Sequence, residues 1–306
     1  MDKEYDSWEH FCNLIFPDNP KGIIVVVTMY LDAAFKSYTA DKKPLFHTLA
    51  GYAATVDNWR RFRKEWKLEL DKKGIDHFHM TKFEYAKNRK THRHEVHQAK
   101  NPFADLPLED FDPMFERLAR TLSRKTNGKT RLYSRASSII NEDFYAVRPD
   151  ILADDIRCIS PYVFNAYVLL RDMSQRLPTS EDIAYVFATG DEEIGQLHNL
   201  FLYIKKRPHI AKDLRIHWSG DNEVIKQSQM KEQSPIQAAD ILAYETQADL
   251  KNWIDAGRPM ANPDLSTRRR ALSLLVKYND IGGHVYTKEQ LGEEFGDVIT
   301  YGKWML

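Results

Sequence analysis

Cysteine is almost missing from this chain: 306 residues contain two, Cys12 and Cys158, far apart and in no CxxC pair. That excludes a disulfide framework or a zinc ribbon and fits a reducing compartment, so a cytoplasmic location is expected. An excess of charge is missing too, with Lys plus Arg and Asp plus Glu at 44 each. No global field draws the protein to nucleic acid or membrane, and any such binding must come from local patches. Long apolar runs are lacking. The most apolar stretch, "GIIVVVTMYL" from residue 22, has about half the length a membrane span requires, and the acidic start "MDKEYDSWEHFC" is unlike a signal peptide. There is no internal repeat and no low-complexity tract. What is present, 42% hydrophobic and 12% aromatic residues, suffices for a packed core.

Residues 23 to 31, "IIVVVTMYL", are β-branched and apolar on both alternating faces, which predicts a central strand covered on both sides and closed by Asp32. Residues 45 to 54 and 184 to 190 read as further strands, the last with Asp191 directly after it. Helical spacing runs between them. In 56 to 72, Val56, Trp59, Phe62, Trp66 and Leu70 fall on one side, leaving Arg60, Arg61, Lys64 and Lys67 outside, where solvation is the plain explanation. Other helices are expected at 108 to 126, 161 to 177, 193 to 206, 235 to 252 and 267 to 279. Strands interleaved with helices make the fold α/β. The stretch 85 to 107 lacks an apolar period and reads as a long polar surface insertion. It holds His92, His94 and His97, whose spacing lacks a fourth metal ligand and favours a solvated or phosphate-touching loop. Residues 1–22 then form an N-terminal arm and 23–306 a single domain.

One carboxylate stands out. In "SPIQAADILAYE", Ser234 suits an N-cap, Pro235 the first helical position, and Gln237 completes a capping box. Asp240 lies past the open amides of the first turn, among Ile, Ala, Leu and Tyr on most of the helix circumference. Such a group must be hydrogen-bonded, paired, bound to metal or protonated. Asp32 and Asp191, after buried-looking strands, could join it if those strands are parallel neighbours, since ligands of α/β sheets sit beyond the carboxyl ends of strands. Three acids together need cations, and hard oxygens suit Mg²⁺ or Mn²⁺. A metal pair about 4 Å apart would stabilise the attacking and leaving oxygens of phosphodiester hydrolysis. Each Asp could equally cap a loop or pair with an Arg by itself.

The ordered set "YLDAAF", "LAGYAATVDNWRRFRKEW", "HFHMTKFE", "YVFATGDEEIGQL" and "SPIQAADILAYE" resembles the bacterial family called domain of unknown function 3800, over about residues 23 to 284. The resemblance implies a ribonuclease H-like fold: a mixed central sheet flanked by helices, carrying a carboxylate cluster for divalent metal. It marks Asp32, Asp191 and Asp240 as site acids, Gln237 as the helix partner of Asp240, and His79 as a recurrent histidine that could move a proton or orient phosphate. The chain departs from the family pattern where Ala33 follows Asp32 and where Ala188 takes the place of a frequent Glu, so that Glu192 or Glu193 becomes the substitute ligand. The resulting expectation is a nuclease-like phosphodiester hydrolase with Asp32, Asp191, Asp240 and His79 as catalytic residues, and Asp32, Asp191, Asp240 and Glu192 around Mg²⁺ or Mn²⁺. Nucleic acid would be its partner, held by basic segments 87 to 100 and 203 to 215. The alternative is a noncatalytic binding or scaffold protein with a degenerate site.

Overall fold

The apolar segment Val27–Leu31 lies in the middle of a six-stranded sheet. A computed structural model describes residues 27–34, 44–92, 101–126, 129–177, 181–188, 194–218, 226–228, 233–257, 275 and 281–303. The sheet strands are β1 (Val27–Ala34), β2 (Phe46–Thr55), β3 (Tyr133–Ile140), β4 (Ile183–Ala188), β5 (Lys226–Ser228) and β6 (Ile281–Tyr286). The helices are α1 (Val56–Asp71), α2 (Met80–Thr91), α3 (Leu108–Ser123), α4 (Asn141–Val147), α5 (Pro161–Arg176), α6 (Ile194–Lys205), α7 (Pro208–Asp213), α8 (Ser234–Asp255) and α9 (Lys288–Lys303). Across the sheet the strands run β5-β4-β1-β2-β3-β6. β1, β2 and β3 form an antiparallel meander, β4 lies parallel to β1, β5 to β4, and β6 to β3. The fold is therefore α/β with a mixed sheet between helices.

Strand alternation sorts the core into two layers. Val27, Met29 and Leu31 of β1, with Tyr185 and Phe187 of β4, pack against α5 and α6. Tyr30 of β1, Ala50, Tyr52 and Ala54 of β2, and Ala184, Val186 and Ala188 of β4 turn to the other layer, built from α1, α2, α3 and α8. Small alanines on the sheet, facing Ala238 and Ala243 of α8, let a helix buried on several sides lie close to it. α1 follows β2 without a loop, its Thr55 cap accepting from the Asn58 amide. It buries Trp59, Phe62, Trp66 and Leu70, the stripe that the spacing predicted. The indole of Trp59 donates to the Thr28 carbonyl at 2.8 Å, pinning α1 to β1.

Three expectations change. β1 does not stop at Asp32 but continues to Ala34, because Ala33 and Ala34 still pair with Leu49 and Thr48 of β2. The polar insertion is structured at both described ends. Its first part is the end of α2, which buries Phe83 and Ala86, and Phe103 is wholly buried against Phe78 and Phe83. Asn101 ties this return to α2 by donating to the Lys82 carbonyl at 2.8 Å. One buried aromatic every several residues sets no period, so composition alone reads as loop. The third change concerns the capping box and is taken up with the site. The helix expected at 267 to 279, apart from Leu275, and His94 and His97 lie outside the described residues. No helix among those described is long and apolar enough to cross a membrane.

His47, on the α5 side of β2, contributes a pH dependence. Desolvation pulls its imidazole down to about 4, whereas an unfolded histidine takes its proton near 6.5. The folded state holds the neutral ring, so its stabilisation is complete above pH ~6.5 and is lost as pH falls toward 4, by about 3 kcal/mol in total. Urea melts at pH 7 and 4.5 should show a wild-type loss that His47→Leu reduces by roughly that amount.

Candidate functional site

The carboxyl end of β1 lies where the sheet changes direction. From β1 the chain turns to its antiparallel neighbour β2, and on the other side stands parallel β4, whose continuation forms α6. Crevices of this kind hold ligands in open α/β sheets. Asp32 shares the strand face of Tyr30, hence the α8 side. Its Oδ1 accepts from the Ala33 amide at 2.9 Å. The pairing of β1 with β4 ends at Leu31–Phe187, one residue before Asp32 on β1 and before Ala188 on β4. Ala188 turns to the same layer of the core as Tyr30. Asp191 and Glu192 follow β4 in sequence but lie outside the described residues.

Asp240 is 7% exposed, on the helix that packs across β1 and β2. Its Oδ2 accepts from the Met80 amide at 2.6 Å and lies 3.2 Å from His79 Nδ1. Met80 opens α2 after an extended His79 that offers no side-chain cap, so Asp240 supplies the missing cap from another helix, at a terminus whose open amides favour a negative charge. Gln237 does a related job one turn earlier. Its Oε1 accepts from the Trp66 indole at 2.8 Å and from the Phe78 amide at 2.9 Å. The capping box is therefore not formed: Gln233 occupies the cap position of α8 with no side-chain bond, and the Gln237 side chain is committed elsewhere. Two buried donors outcompeted a helix end whose amides also reach the Gln233 carbonyl.

Gln237 and Asp240, three residues apart, thus form a clamp on the segment "FHM". Phe78 goes into the aromatic core against Trp66, Phe83 and Phe103, and His79 stays about one-third exposed with its ring toward Asp240. Upstream, Asp76 accepts from both the amide and Nδ1 of His77. Partial burial raises the Asp76 carboxyl, but the His77 charge and hydrogen bonds outweigh it and hold the group below its ordinary value.

The structure brings together His79, Asp240 and Gln237, and sets Asp32 on the same side of the sheet. No three His, Cys, Asp or Glu side chains among the described residues group closely enough to hold a metal ion. Both hydrogen bonds of Asp240 fall on Oδ2, so a cation would meet Oδ1, and Asp32 would offer a second hard oxygen. That donor chemistry suits Mg²⁺ or Mn²⁺. No family model, curated protein or solved structure matches the chain. Sequence reasoning missed Trp66 and the 78–80 backbone as partners of the motif. The spacing of Gln237 and Asp240 showed that they share a helix face, but nothing local says which segment that face meets.

Proposed function

We propose that this protein is a cytoplasmic, divalent-metal-dependent phosphodiester hydrolase of ribonuclease H-like fold. The observation that carries the reading is that Asp32 lies on the face of the central strand covered by α8, the helix that carries the buried Asp240. A mixed sheet with helices on both faces supports the fold assignment, and the motifs "YLDAAF" and "SPIQAADILAYE" support the resemblance to domain of unknown function 3800. Asp32 and Asp240 would hold Mg²⁺ or Mn²⁺, with Asp191 and Glu192 supplying further oxygens from the segment after β4. The metal would polarise a phosphate oxygen and lower the pKa of a bound water. His79, held at Nδ1 by Asp240 and about one-third exposed, would orient a phosphate.

A noncatalytic reading has its own support. No acid stands on β4 among the described residues, and Asp240 Oδ2 already has the Met80 amide and His79 as partners.

Thermal melts with Mn²⁺ separate the two. Metal at about 100 times its dissociation constant adds roughly 2.7 kcal/mol, a rise of about 5 °C for a chain of this size. The rise should vanish in Asp32→Asn and Asp240→Asn. Asparagine keeps an oxygen for the Met80 amide, so Asp240→Asn tests the charge where Asp240→Ala would also break the clamp. A wild-type Tm indifferent to millimolar Mn²⁺, together with no hydrolysis of labelled DNA or RNA, would leave the noncatalytic protein.

A further inference from the structure

The chain beyond β3 leaves large apolar side chains at the surface. Three of the seven exposed ones among the described residues lie between positions 145 and 159: Tyr145 at 54%, Ile151 at 73% and Ile159 at 44%. Single exposures scattered over a surface need no explanation, but these share an anchor. Arg148 donates through Nη1 to the carbonyls of Cys158 and Ile159, at 3.1 and 3.3 Å, and its guanidinium lies 5.3 Å from the centre of the Tyr145 ring. Pro149 and the short 3-10 turn Asp150–Leu152, which carries Ile151, follow directly. Beneath them Phe144, Leu152 and Cys158 are buried in one cluster with Phe164 and Phe295. Side chains set on so fixed a base lose little conformational freedom when they are covered.

The charges around this patch are unmatched within the chain. Arg148 gives its hydrogen bonds to neutral carbonyls and meets no carboxylate among the described residues. Asp150 and Asp154, exposed on either side of Ile151 in sequence, meet no cation there. Asp155, in contrast, is held by two bonds from the Arg157 guanidinium. Tyr and Ile around an Arg, with acids at the edge, is the composition of an interface core and its rim. We propose that Tyr145, Arg148, Ile151 and Ile159 form the contact face of a homodimer, in which Arg148 of each copy meets Asp150 and Asp154 of the other. A two-fold axis sets a surface against itself, so a patch carrying both signs of unpaired charge is complementary to its own copy. A partner of one sign would leave either the cation or the acids unmatched. The interface uses none of the residues of the candidate site and stands apart from the hydrolase reading.

Sedimentation velocity over a concentration series tests it. Wild type should shift from the mass of one chain to that of two as concentration rises. Ile151→Asp, at a side chain exposed enough to leave folding unaffected, should raise the dissociation constant by about thirtyfold or more, as for a central interface residue. Asp150→Lys/Asp154→Lys sets like charges against Arg148 of the other copy and should raise it by at least about tenfold. Leu68→Asp, the same kind of change at an exposed leucine of α1, should leave it as it is. Circular dichroism of each variant separates loss of the dimer from loss of the fold. Wild type that stays a single chain throughout, which would assign the patch to a different protein, would overturn the interface. So would a dimer indifferent to Ile151→Asp or to the lysine pair, or one weakened equally by Leu68→Asp.

Discussion

Gln237→Leu is expected to lower the stability of the protein by about 2–5 kcal/mol, because it strands two buried donors at once. Trp66 and Phe78 are both 0% exposed, so neither the indole N–H nor the Phe78 amide can turn to water when the carboxamide oxygen goes. Leucine has a similar volume, so the loss isolates the hydrogen bonds from cavity formation. A double-mutant cycle checks this. Trp66→Phe removes one of the two donors, and its cost measured in the Gln237→Leu background should be smaller than in wild type. If the two costs simply add, the bond at 2.8 Å contributes nothing. The expected local consequence is release of the 78–80 segment, read as faster amide exchange at Phe78 and Met80. Asp240→Asn, in contrast, should keep most of the stability while removing the metal response.

Gly51→Val should be more damaging still and prevent accumulation of folded protein. Gly51 pairs with Leu31 across β1 and β2, and a Cβ at this position would come 2.1 Å from the Tyr30 carbonyl oxygen and 3.0 Å from Leu31 Cδ2. The obstacle is backbone, not the end of a flexible side chain, so the two strands must separate. Even Gly51→Ala should cost about 3 kcal/mol, at the top of the usual range for overpacking. Denaturant melts of the alanine variant give the number. Because Asp32 is the next residue after Leu31, the alanine variant should also respond to Mn²⁺ less than wild type at equal folded fraction. An unchanged midpoint would mean that β1 and β2 are further apart than described.

Legibility in the sequence followed the kind of signal. The stripe of Trp59, Phe62, Trp66 and Leu70 located α1 almost to the residue, and Pro161 and Pro235 marked the starts of α5 and α8. The β-branched run and the alanine-rich segment 49 to 54 gave β1 and β2. Strand β3, "YSRASSII", was missed because four of its residues are Ser or Arg, although Ser134, Ser137 and Ser138 are buried. The Ser138 hydroxyl finds its partner far away in sequence, at Thr48, 2.8 Å distant. β6 with its two glycines, and α9, were missed for the same want of a local pattern. At the site, the residue types and the shared helix face of Gln237 and Asp240 were visible from spacing. Their partners were not, since contacts between residues some 160 positions apart leave no mark on either segment alone.

The pairing of β1 with β4 has a kinetic consequence. The meander of β1, β2 and β3 can close from neighbouring stretches of chain, but the parallel partner of β1 comes about 150 residues later and α8 later still. Joining ends that far apart sacrifices loop entropy before any contact rewards it. A nascent chain that has folded its antiparallel half therefore has Asp32 in place on a half-covered strand and no crevice beside it. The candidate site is therefore assembled only after the meander, when α8 brings Asp240 to its clamp.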